Sequence, residues 1–185
     1  MADLKLLASA LRVSDRTLRR AAARGTIRCE RKGERRLELP IQEALYLERA
    51  WPTLQSLIGE LRTLPNVRLA VLFGSLARGD EREQSDIDLL VRFAEPGLGA
   101  RGQLIKRLEQ ATGRRIQLVE HEDANPLLLA DVVRDGRVLV DRDADWATLL
   151  ADAPALDKAA EAARGELETG LFADLDALFA KAEVE

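Results

Sequence analysis

The sequence predicts an α/β (α+β) fold in which a few short strands are flanked by helices. Two apolar runs, Val67 to Phe73 and Ile87 to Phe93, have the length and composition of buried strands. The alanine-rich end of the chain repeats apolar residues at helical spacing. The other elements predicted after the two runs are helix Gln103 to Thr112, strand Arg115 to Glu120, helix Asn125 to Arg134 and strand Arg137 to Val140, a small edge strand.

The first apolar run ends in a glycine–serine pair. Gly74 follows Phe73 directly, and glycine can adopt backbone angles that are closed to residues with a Cβ. The amides of such a turn, together with the Ser75 hydroxyl, can donate hydrogen bonds to phosphate oxygens. The pair therefore indicates a site for a phosphate group.

Two aspartates stand at the head of the second apolar run. Asp86 and Asp88 are two positions apart, and because side chains alternate along a strand, both carboxylates point to the same face. Mg²⁺ takes oxygen ligands and commonly combines one or two carboxylates with substrate phosphates. The spacing favours a divalent cation with a nucleoside triphosphate, whereas an isolated Asp-x-Asp is more often a solvated turn.

The order Gly-Ser, Arg-Gly and then Asp-x-Asp resembles the nucleotidyltransferase superfamily typified by DNA polymerase β, especially its minimal nucleotidyltransferase branch. The resemblance implies a small mixed β-sheet with flanking helices, Mg²⁺ or Mn²⁺ as cofactor, and an NTP, first of all ATP, as substrate. It assigns nucleotide binding to Gly74, Ser75, Arg78 and Ser85, and metal binding and catalysis to Asp86 and Asp88. A loop ion pair is the alternative role for Arg78.

One position departs from the family pattern. Where the family has a third carboxylate on a later strand, which helps to bind a metal and activate the acceptor hydroxyl, this chain has Gln117. An amide offers an oxygen to a metal but cannot act as a general base at neutral pH. Glu120 lies at an odd offset from Gln117 and would need a bulge or register shift to replace it, and Glu122 falls past the strand end. Two alternatives follow: a slow or metal-altered enzyme, or a nucleotide-binding fold without transfer activity.

Positive charge is concentrated near the N-terminus. The window from Arg12 to Arg36 carries +7, which leaves −11 for the rest of a chain whose net charge is −4. Such separation predicts that the front of the chain contacts a polyanion. The elements predicted here are helix Leu4 to Leu11, a helix from the Ser14 cap through Ala23 with Gly25 as its stop, and strands Thr26 to Arg31 and Arg35 to Leu39 joined across Lys32-Gly33-Glu34.

This order, with the segment Ala8 to Arg20, resembles a winged helix-turn-helix of the MerR and excisionase groups. In such modules the second helix enters the major groove and the wing lies along the backbone. The resemblance implies contacts with duplex DNA by Arg16, Arg19, Arg20, Arg31, Lys32, Arg35 and Arg36. A solvated basic surface and an RNA contact are the alternatives, and the window has no aromatic residue on which single-stranded bases could stack.

The predicted domains are a winged helix-turn-helix at 1–40, a helical linker at 41–65, a nucleotidyltransferase domain at 66–143 and C-terminal helices at 144–185. Pro52 is expected to break the linker into two helices, Ile41 to Trp51 and Thr53 to Leu64. Either the tail packs back onto the sheet domain, or it presents an apolar stripe to a partner or to a second subunit, which would make a homodimer.

Composition excludes several classes of protein. The 185 residues are 46% apolar and 32% charged, as in soluble globular proteins. A single cysteine, Cys29, and a single histidine, His121, exclude an internal disulfide framework, a multi-cysteine zinc site and a histidine-rich metal centre. No apolar run approaches the roughly 20 residues that span a bilayer, and no secretory signal is recognisable, so we expect a cytoplasmic protein.

Three functional hypotheses follow. The first is Mg²⁺-dependent transfer of a nucleoside monophosphate from an NTP to a hydroxyl, by a protein with a DNA-binding N-terminal module. By family resemblance the acceptor is a toxin protein, as in antitoxins of the minimal branch, ahead of a small antibiotic or an RNA end. The second is a DNA-binding transcriptional regulator whose inactive fold senses a nucleotide or supports dimerisation, with Gln117 as its best support. The third is an interaction module whose basic hairpin contacts an acidic protein.

Overall fold

The computed structural model describes residues 2–32, 36–82, 85–95, 97 and 99–182. Its helices are α1 Leu4–Ala10, α2 Asp15–Arg24, α3 Ile41–Arg62, α4 Gly74–Arg78, α5 Ala100–Thr112, α6 Pro126–Asp135, α7 Asp145–Ala151 and α8 Ala153–Ala182. Its strands are β1 Glu30–Lys32, β2 Arg36–Glu38, β3 Val67–Phe73, β4 Ile87–Phe93, β5 Ile116–Glu120 and β6 Arg137–Asp141, and a 3₁₀ turn, His121–Asp123, follows β5.

The main sheet has four strands in the order β5-β4-β3-β6. β3 pairs antiparallel with β4 and with β6, whereas β4 and β5 are parallel, so the sheet is mixed, as predicted. The parallel pair is joined through α5, which is the helical crossover that parallel neighbours need. The end of β3 and the starts of β4 and β5 therefore lie at one edge of the sheet.

Apolar side chains cover both faces of this sheet. One face carries Ala70, Leu72 and Leu89, which join the cluster formed with α3, α5 and the N-terminal elements. The other face carries Leu69, Val71 and Leu90, which pack with side chains of α6 and α7. A sheet buried on both faces explains why β3 and β4 are nearly continuous apolar runs and why both are predicted with their observed bounds.

The two N-terminal helices begin and end close to the predicted residues. Asp3 caps α1, and the Ser14 hydroxyl accepts from the Thr17 amide at 3.1 Å to cap α2. Gly25, with φ of 92°, ends α2 in the left-handed conformation that glycine adopts without strain. The short strands β1 and β2 then pair antiparallel as a hairpin, whose residues 33–35 lie outside the described ones.

The predicted strand from Thr26 to Arg31 is wrong over its first four residues. Only Glu30–Lys32 is strand, because the preceding segment pairs with the edge of the main sheet instead. The Gly25 carbonyl accepts from the Val138 amide at 3.2 Å, and the buried Thr26 hydroxyl donates to the Val138 carbonyl. The N-terminal segment thus covers β6, whose edge position is confirmed.

The predicted break at Pro52 is also wrong. α3 runs through Pro52 as a single helix of 22 residues. Proline removes one donor from the helix ladder, but Trp51 and Leu54 on either side of it are buried, with Leu47 and Leu57 one turn away on each side. Burial along the whole helix outweighs the lost hydrogen bond.

The end of the chain forms two helices, within the predicted range. Asn125 caps α6, with Pro126 in its first turn, as the sequence indicates. α8 packs against α6 and α7, so the tail folds back onto the sheet domain. Among the described helices, none is long and apolar enough to cross a membrane.

Candidate functional site

The glycine–serine pair lies where β3 turns into α4. Phe73 ends the strand with extended backbone angles, and Gly74, with φ of 71°, starts the short helix. The first-turn amides of a helix have no acceptor within the helix, so this turn presents donors at the sheet edge. Gly79, with φ of 86°, ends α4 and returns the chain towards β4.

Gly74 is in direct contact with the Asp88 carboxylate. Phe73 is the register partner of Asp88 in the antiparallel β3–β4 pair, which places the next residue beside it. A Cβ added to Gly74 would overlap the Asp88 carboxylate. Both the positive φ and the absent side chain are therefore needed for the turn to approach the aspartate.

The two aspartates lie close together at the start of β4. Asp86 stands just before β4, and Asp88 is the second residue of the strand. Burial, and then the negative charge of Asp86, raise the pKa of Asp88, while Arg78 acts in the opposite direction. The negative charge of Asp86 thus disfavours the charged form of Asp88, an effect that a bound cation would reverse.

Gln117 completes this edge from the neighbouring strand. In the parallel register it is the partner of Asp88, and its side-chain nitrogen donates to Asp86 Oδ2 at 2.7 Å. Arg115 approaches the same oxygen at 3.9 Å but is mostly exposed. Because a carboxylate only accepts, the amide turns its nitrogen to Asp86 and keeps its oxygen free to serve as a ligand.

Neither nearby glutamate replaces a third carboxylate. Glu120 is paired with Val91 and lies at an odd offset from Gln117 along a regular strand, on the other face. Glu122 lies in the 3₁₀ turn past the strand end, as expected, and pairs with Arg92 Nε at 3.3 Å. In the described part of the chain, no three carboxylate, histidine or cysteine side chains are gathered in a way that could hold a metal.

Arg78 and Ser85 flank the edge but already have protein partners. Arg78 Nε pairs with Asp80 Oδ2 at 3.2 Å, both side chains being exposed, which is the loop ion pair considered as its alternative role. The Ser85 hydroxyl accepts from the Arg82 amide at 2.9 Å, and its carbonyl accepts from Arg114 Nε at 3.2 Å. The Ser85 hydroxyl proton stays available to an acceptor.

Comparison with known proteins identifies the family to which this chain belongs. Residues 55–145 match the family model described as polymerase beta, nucleotidyltransferase. A putative protein adenylyltransferase of Methanocaldococcus jannaschii is 36% identical over 73 residues, which are 73% of its length and 37% of this chain. The chain belongs to this nucleotidyltransferase family.

Two further similarities concern proteins with more specific descriptions. The protein adenylyltransferase MntA of Thermococcus cleftensis is 38% identical over 77 residues, which are 78% of its length and 41% of this nucleotidyltransferase. A solved structure described as a toxin–antitoxin with AMP-PNP has a TM-score of 0.54 at 26% identity, and the match covers 64% of this chain and 98% of that one. The family match begins at Gln55, after the basic N-terminal elements.

The predicted DNA-binding residues of the nucleotidyltransferase lie on two N-terminal elements. Arg16, Arg19 and Arg20 are exposed on α2, and Arg19 Nε pairs with Asp15 Oδ2 at 2.6 Å. The backbone of Arg31, Lys32 and Arg36 lies in the β1–β2 hairpin, whereas Arg35 lies outside the described residues. Along the sequence, a helix with exposed arginines is therefore followed by a hairpin rich in basic residues.

A buried ion pair that was not predicted from the sequence connects the N-terminal elements to α4. Arg137, 1% exposed, binds both carboxylate oxygens of Glu43 at 2.5 and 2.9 Å. Its Nε donates to the Ala77 carbonyl in α4 at 2.7 Å, and its Nη1 donates to the Thr26 carbonyl at 3.2 Å. Its guanidinium also lies 3.8 Å from the centre of the Tyr46 ring. An arginine at a strand start gives no sequence signal for such burial.

Proposed function

We propose that this chain is a metal-dependent nucleotidyltransferase that transfers a nucleoside monophosphate from an NTP, with ATP as the first candidate, to a hydroxyl of a partner protein. The observation that carries the proposal is the contact between Gly74 and Asp88 at the edge where Asp86 and Gln117 meet. A glycine turn pressed against one of two adjacent carboxylates brings a phosphate site and a cation site together.

The residues present fit a divalent cation. Asp86 and Asp88 offer carboxylate oxygens, and Gln117 offers an amide oxygen, which are the oxygen ligands that Mg²⁺ and Mn²⁺ take. The raised pKa of Asp88 supports this assignment, because a bound cation would offset the negative charge that Asp86 places beside Asp88. When bound, the cation would supply charge neutralisation at the triphosphate and orientation of its α-phosphate.

The protein groups would act mainly by positioning. The Gly74–Ser75 turn would hold phosphate oxygens through its amides and hydroxyl, with Arg78 and Ser85 as further contacts. The acceptor oxygen would attack the α-phosphorus in line as the bond to the leaving pyrophosphate breaks. Gln117 cannot take the acceptor proton at neutral pH, so it would orient Asp86 rather than act as a base. The acceptor proton would pass to solvent water, and a low rate follows.

A protein acceptor is favoured by the relatives. Several are described as protein adenylyltransferases, and a similar structure is described as a toxin–antitoxin with AMP-PNP. We therefore expect the acceptor to be a hydroxyl-bearing side chain of a toxin protein, with this chain as its antitoxin. The nucleotide would be adenosine triphosphate and the product an adenylylated toxin.

The N-terminal elements support a second role in binding duplex DNA. Helices α1 and α2 and the β1–β2 hairpin follow the order of a winged helix-turn-helix, and Arg16, Arg19 and Arg20 are exposed on the second helix. Such a module would allow the protein to bind the DNA near its own gene. We propose residues 1–40 as this module and 41–65 as its helical link to the transferase domain.

A regulator without transfer activity is the second candidate function. It is favoured by Gln117, whose amide satisfies Asp86 with no cation and leaves no base for the acceptor hydroxyl. In that case the nucleotide would bind and bias DNA affinity without being consumed.

One experiment separates the two candidates. The purified chain is incubated with ATP, Mg²⁺ and the protein encoded beside its gene, and intact masses of both proteins are measured. A gain of one adenylyl group by the neighbour, absent with Asp88→Asn, is the expected result. Binding of ATP by calorimetry with no mass gain in any mixture, including one with Gln117→Asp, would select the regulator.

A further inference from the structure

A cavity of about 200 Å³ lies between α2 and the second half of α3. Its charged lining residues are Arg20 and Arg24 from α2 and Arg62 from α3, and none of the described aspartates or glutamates lines it. It is separate from the Gly74–Asp88 edge, and neither the transfer reaction nor the proposed DNA contacts account for its arginines as a group.

Among the residues that the structure describes, the three arginines have no carboxylate partner, whereas Arg107 is matched by Glu60 at 2.6 Å. Arg24 Nη1 donates to the Leu139 carbonyl at 3.4 Å. Burial lowers the pKa of Arg24, and the charges of Arg62 and Arg20 lower it further, as expected for like charges held together.

A tryptophan with an unpartnered hydrogen-bond donor lines the same cavity. Trp51 lines the cavity and is 3% exposed, and within the described structure its indole Nε1 is buried with no hydrogen-bond partner. Most buried polar groups in folded proteins have a partner, and here a residue with an unsatisfied N–H lines the same cavity as the three arginines.

We propose that this cavity is a binding site for inorganic phosphate or the phosphate of a small phosphomonoester, held by Arg20, Arg24 and Arg62. Guanidinium groups are planar donors that match phosphate oxygens, and neither they nor the indole N–H can accept a hydrogen bond. The volume is below the roughly 300 Å³ at which pockets for larger ligands begin, so it suits a phosphate group rather than a whole nucleoside triphosphate. The bound anion would neutralise the arginine cluster and fix α2 against α3.

The test uses the full chain with inorganic phosphate as the probe. Thermal unfolding is followed while phosphate replaces chloride at constant ionic strength, because a ligand of the folded state raises the midpoint in a saturable way. Phosphate affinity by calorimetry is expected to fall at least about tenfold in Arg62→Gln, since hydrogen bonds to charged groups are among the strong ones. Arg16→Gln removes the same charge from exposed α2 surface and is expected to keep the affinity.

Two further readouts separate a site from a general salt effect. In phosphate-free buffer of low ionic strength, Arg62→Gln is expected to unfold at a higher temperature than the wild type, because it relieves repulsion among the arginines. Trp146→Phe leaves Trp51 as the sole tryptophan, and its fluorescence is expected to change with phosphate in step with the calorimetric saturation.

Equal responses to phosphate in the wild type and in Arg62→Gln would overturn the proposal, as would equal effects of chloride and phosphate. A Trp51 signal that responds to duplex DNA and not to inorganic phosphate would also overturn it, and would assign the cavity to a DNA backbone phosphate. An AMP titration followed by the Trp51 signal, with Arg62→Gln to exclude binding at the Gly74–Ser75 turn, distinguishes the two ligand sources. A phosphomonoester site binds AMP with an affinity equal to or above that for free phosphate, whereas a site for the free ion binds AMP more weakly.

Discussion

Gln117 donates its side-chain amide to Asp86 across 2.7 Å, on the strand next to the one that carries Asp88. A third carboxylate at this position would face two negative charges unless a cation lay between them. Glutamine instead donates a hydrogen bond to Asp86 and adds no negative charge. This relationship leads directly to the first prediction.

Gln117→Asp is expected to increase both metal affinity and transfer rate. The new carboxylate adds a charged ligand and a group that can accept the acceptor proton, and general bases contribute typically about 10²–10⁴-fold. An increase of at least about tenfold in the rate of adenylyl transfer is expected at saturating Mg²⁺, measured by intact mass over time. In the absence of metal the same variant is expected to unfold at a lower temperature than the wild type.

Gln117→Ala is the control for this substitution. It removes the hydrogen bond to Asp86 without adding charge, so it is expected to lower activity and to leave metal-free stability closer to that of the wild type. An equal loss of metal-free stability in the alanine and aspartate variants would show that repulsion between carboxylates is not the cause.

Asp88→Asn is expected to stabilise the metal-free protein at neutral pH and to abolish its response to Mg²⁺. Burial and Asp86 raise the pKa of Asp88 in the folded state, so its charge costs stability above that raised pKa. The cost disappears as the pH falls below the ordinary value for an aspartate, where both states bind the proton. Thermal unfolding from neutral to acid pH should therefore show the gain of Asp88→Asn shrinking as the pH falls.

The metal response provides the second half of this test. Mg²⁺ should raise the unfolding temperature of the wild type and not that of Asp88→Asn, and the wild-type response should weaken at acid pH, because protons compete for Asp88. A Mg²⁺ effect of equal size in both proteins would place the cation elsewhere.

Gly74→Ala is expected to destabilise the fold and to abolish nucleotide binding. The alanine would have a φ of 71° and its Cβ would overlap the Asp88 carboxylate. Gly113 is a matched control, because it has a φ of 67° with open space around a Cβ. Gly113→Ala should cost only the backbone strain of about 1–2 kcal/mol, and Gly74→Ala should cost more. Equal losses in urea unfolding would mean that the contact with Asp88 contributes nothing.

The elements of the site are predictable from the sequence because their signals are local. Apolar runs define β3 and β4, the spacing places Asp86 and Asp88 close together at the start of β4, and glycine marks the turn at Gly74. Gln117 is placed correctly because the family pattern aligns its strand with that of the aspartates. Local patterns suffice for β3 and β4 because both strands are buried on both faces, which fixes their register.

Errors arise where a distant segment decides the local structure. Pro52 is a helix breaker by itself, but α3 is held on both sides of it by buried side chains. The strand expected at Thr26 is lost because that segment pairs with β6, more than a hundred residues later. The same holds for Arg137 and Glu43, 94 positions apart, since charged residues are expected to be exposed until the packing of distant elements is known.

The buried pair of Arg137 and Glu43 is expected to matter strongly for stability. Glu43→Ala would leave the Arg137 charge buried without its partner, which typically costs about 3–5 kcal/mol. The exposed pair of Arg134 and Asp131 provides the control, and Asp131→Ala should cost under about 1 kcal/mol. Urea unfolding measures both. Similar losses for the two variants would contradict the structural role given to Arg137.

Loss of the exposed α2 arginines is expected to weaken binding to duplex DNA and to flatten its salt dependence. Each phosphate contact contributes about 0.9 to the slope of log affinity against log salt, so Arg16→Gln with Arg19→Gln should reduce the slope by up to about 1.8. Fluorescence anisotropy with duplexes of mixed sequence measures the slope. Arg134→Gln removes an exposed positive charge from α6 and should leave it unchanged. A slope that falls equally in both variants would indicate a general charge effect, and an unchanged slope in the α2 variant would place any DNA contact on another surface.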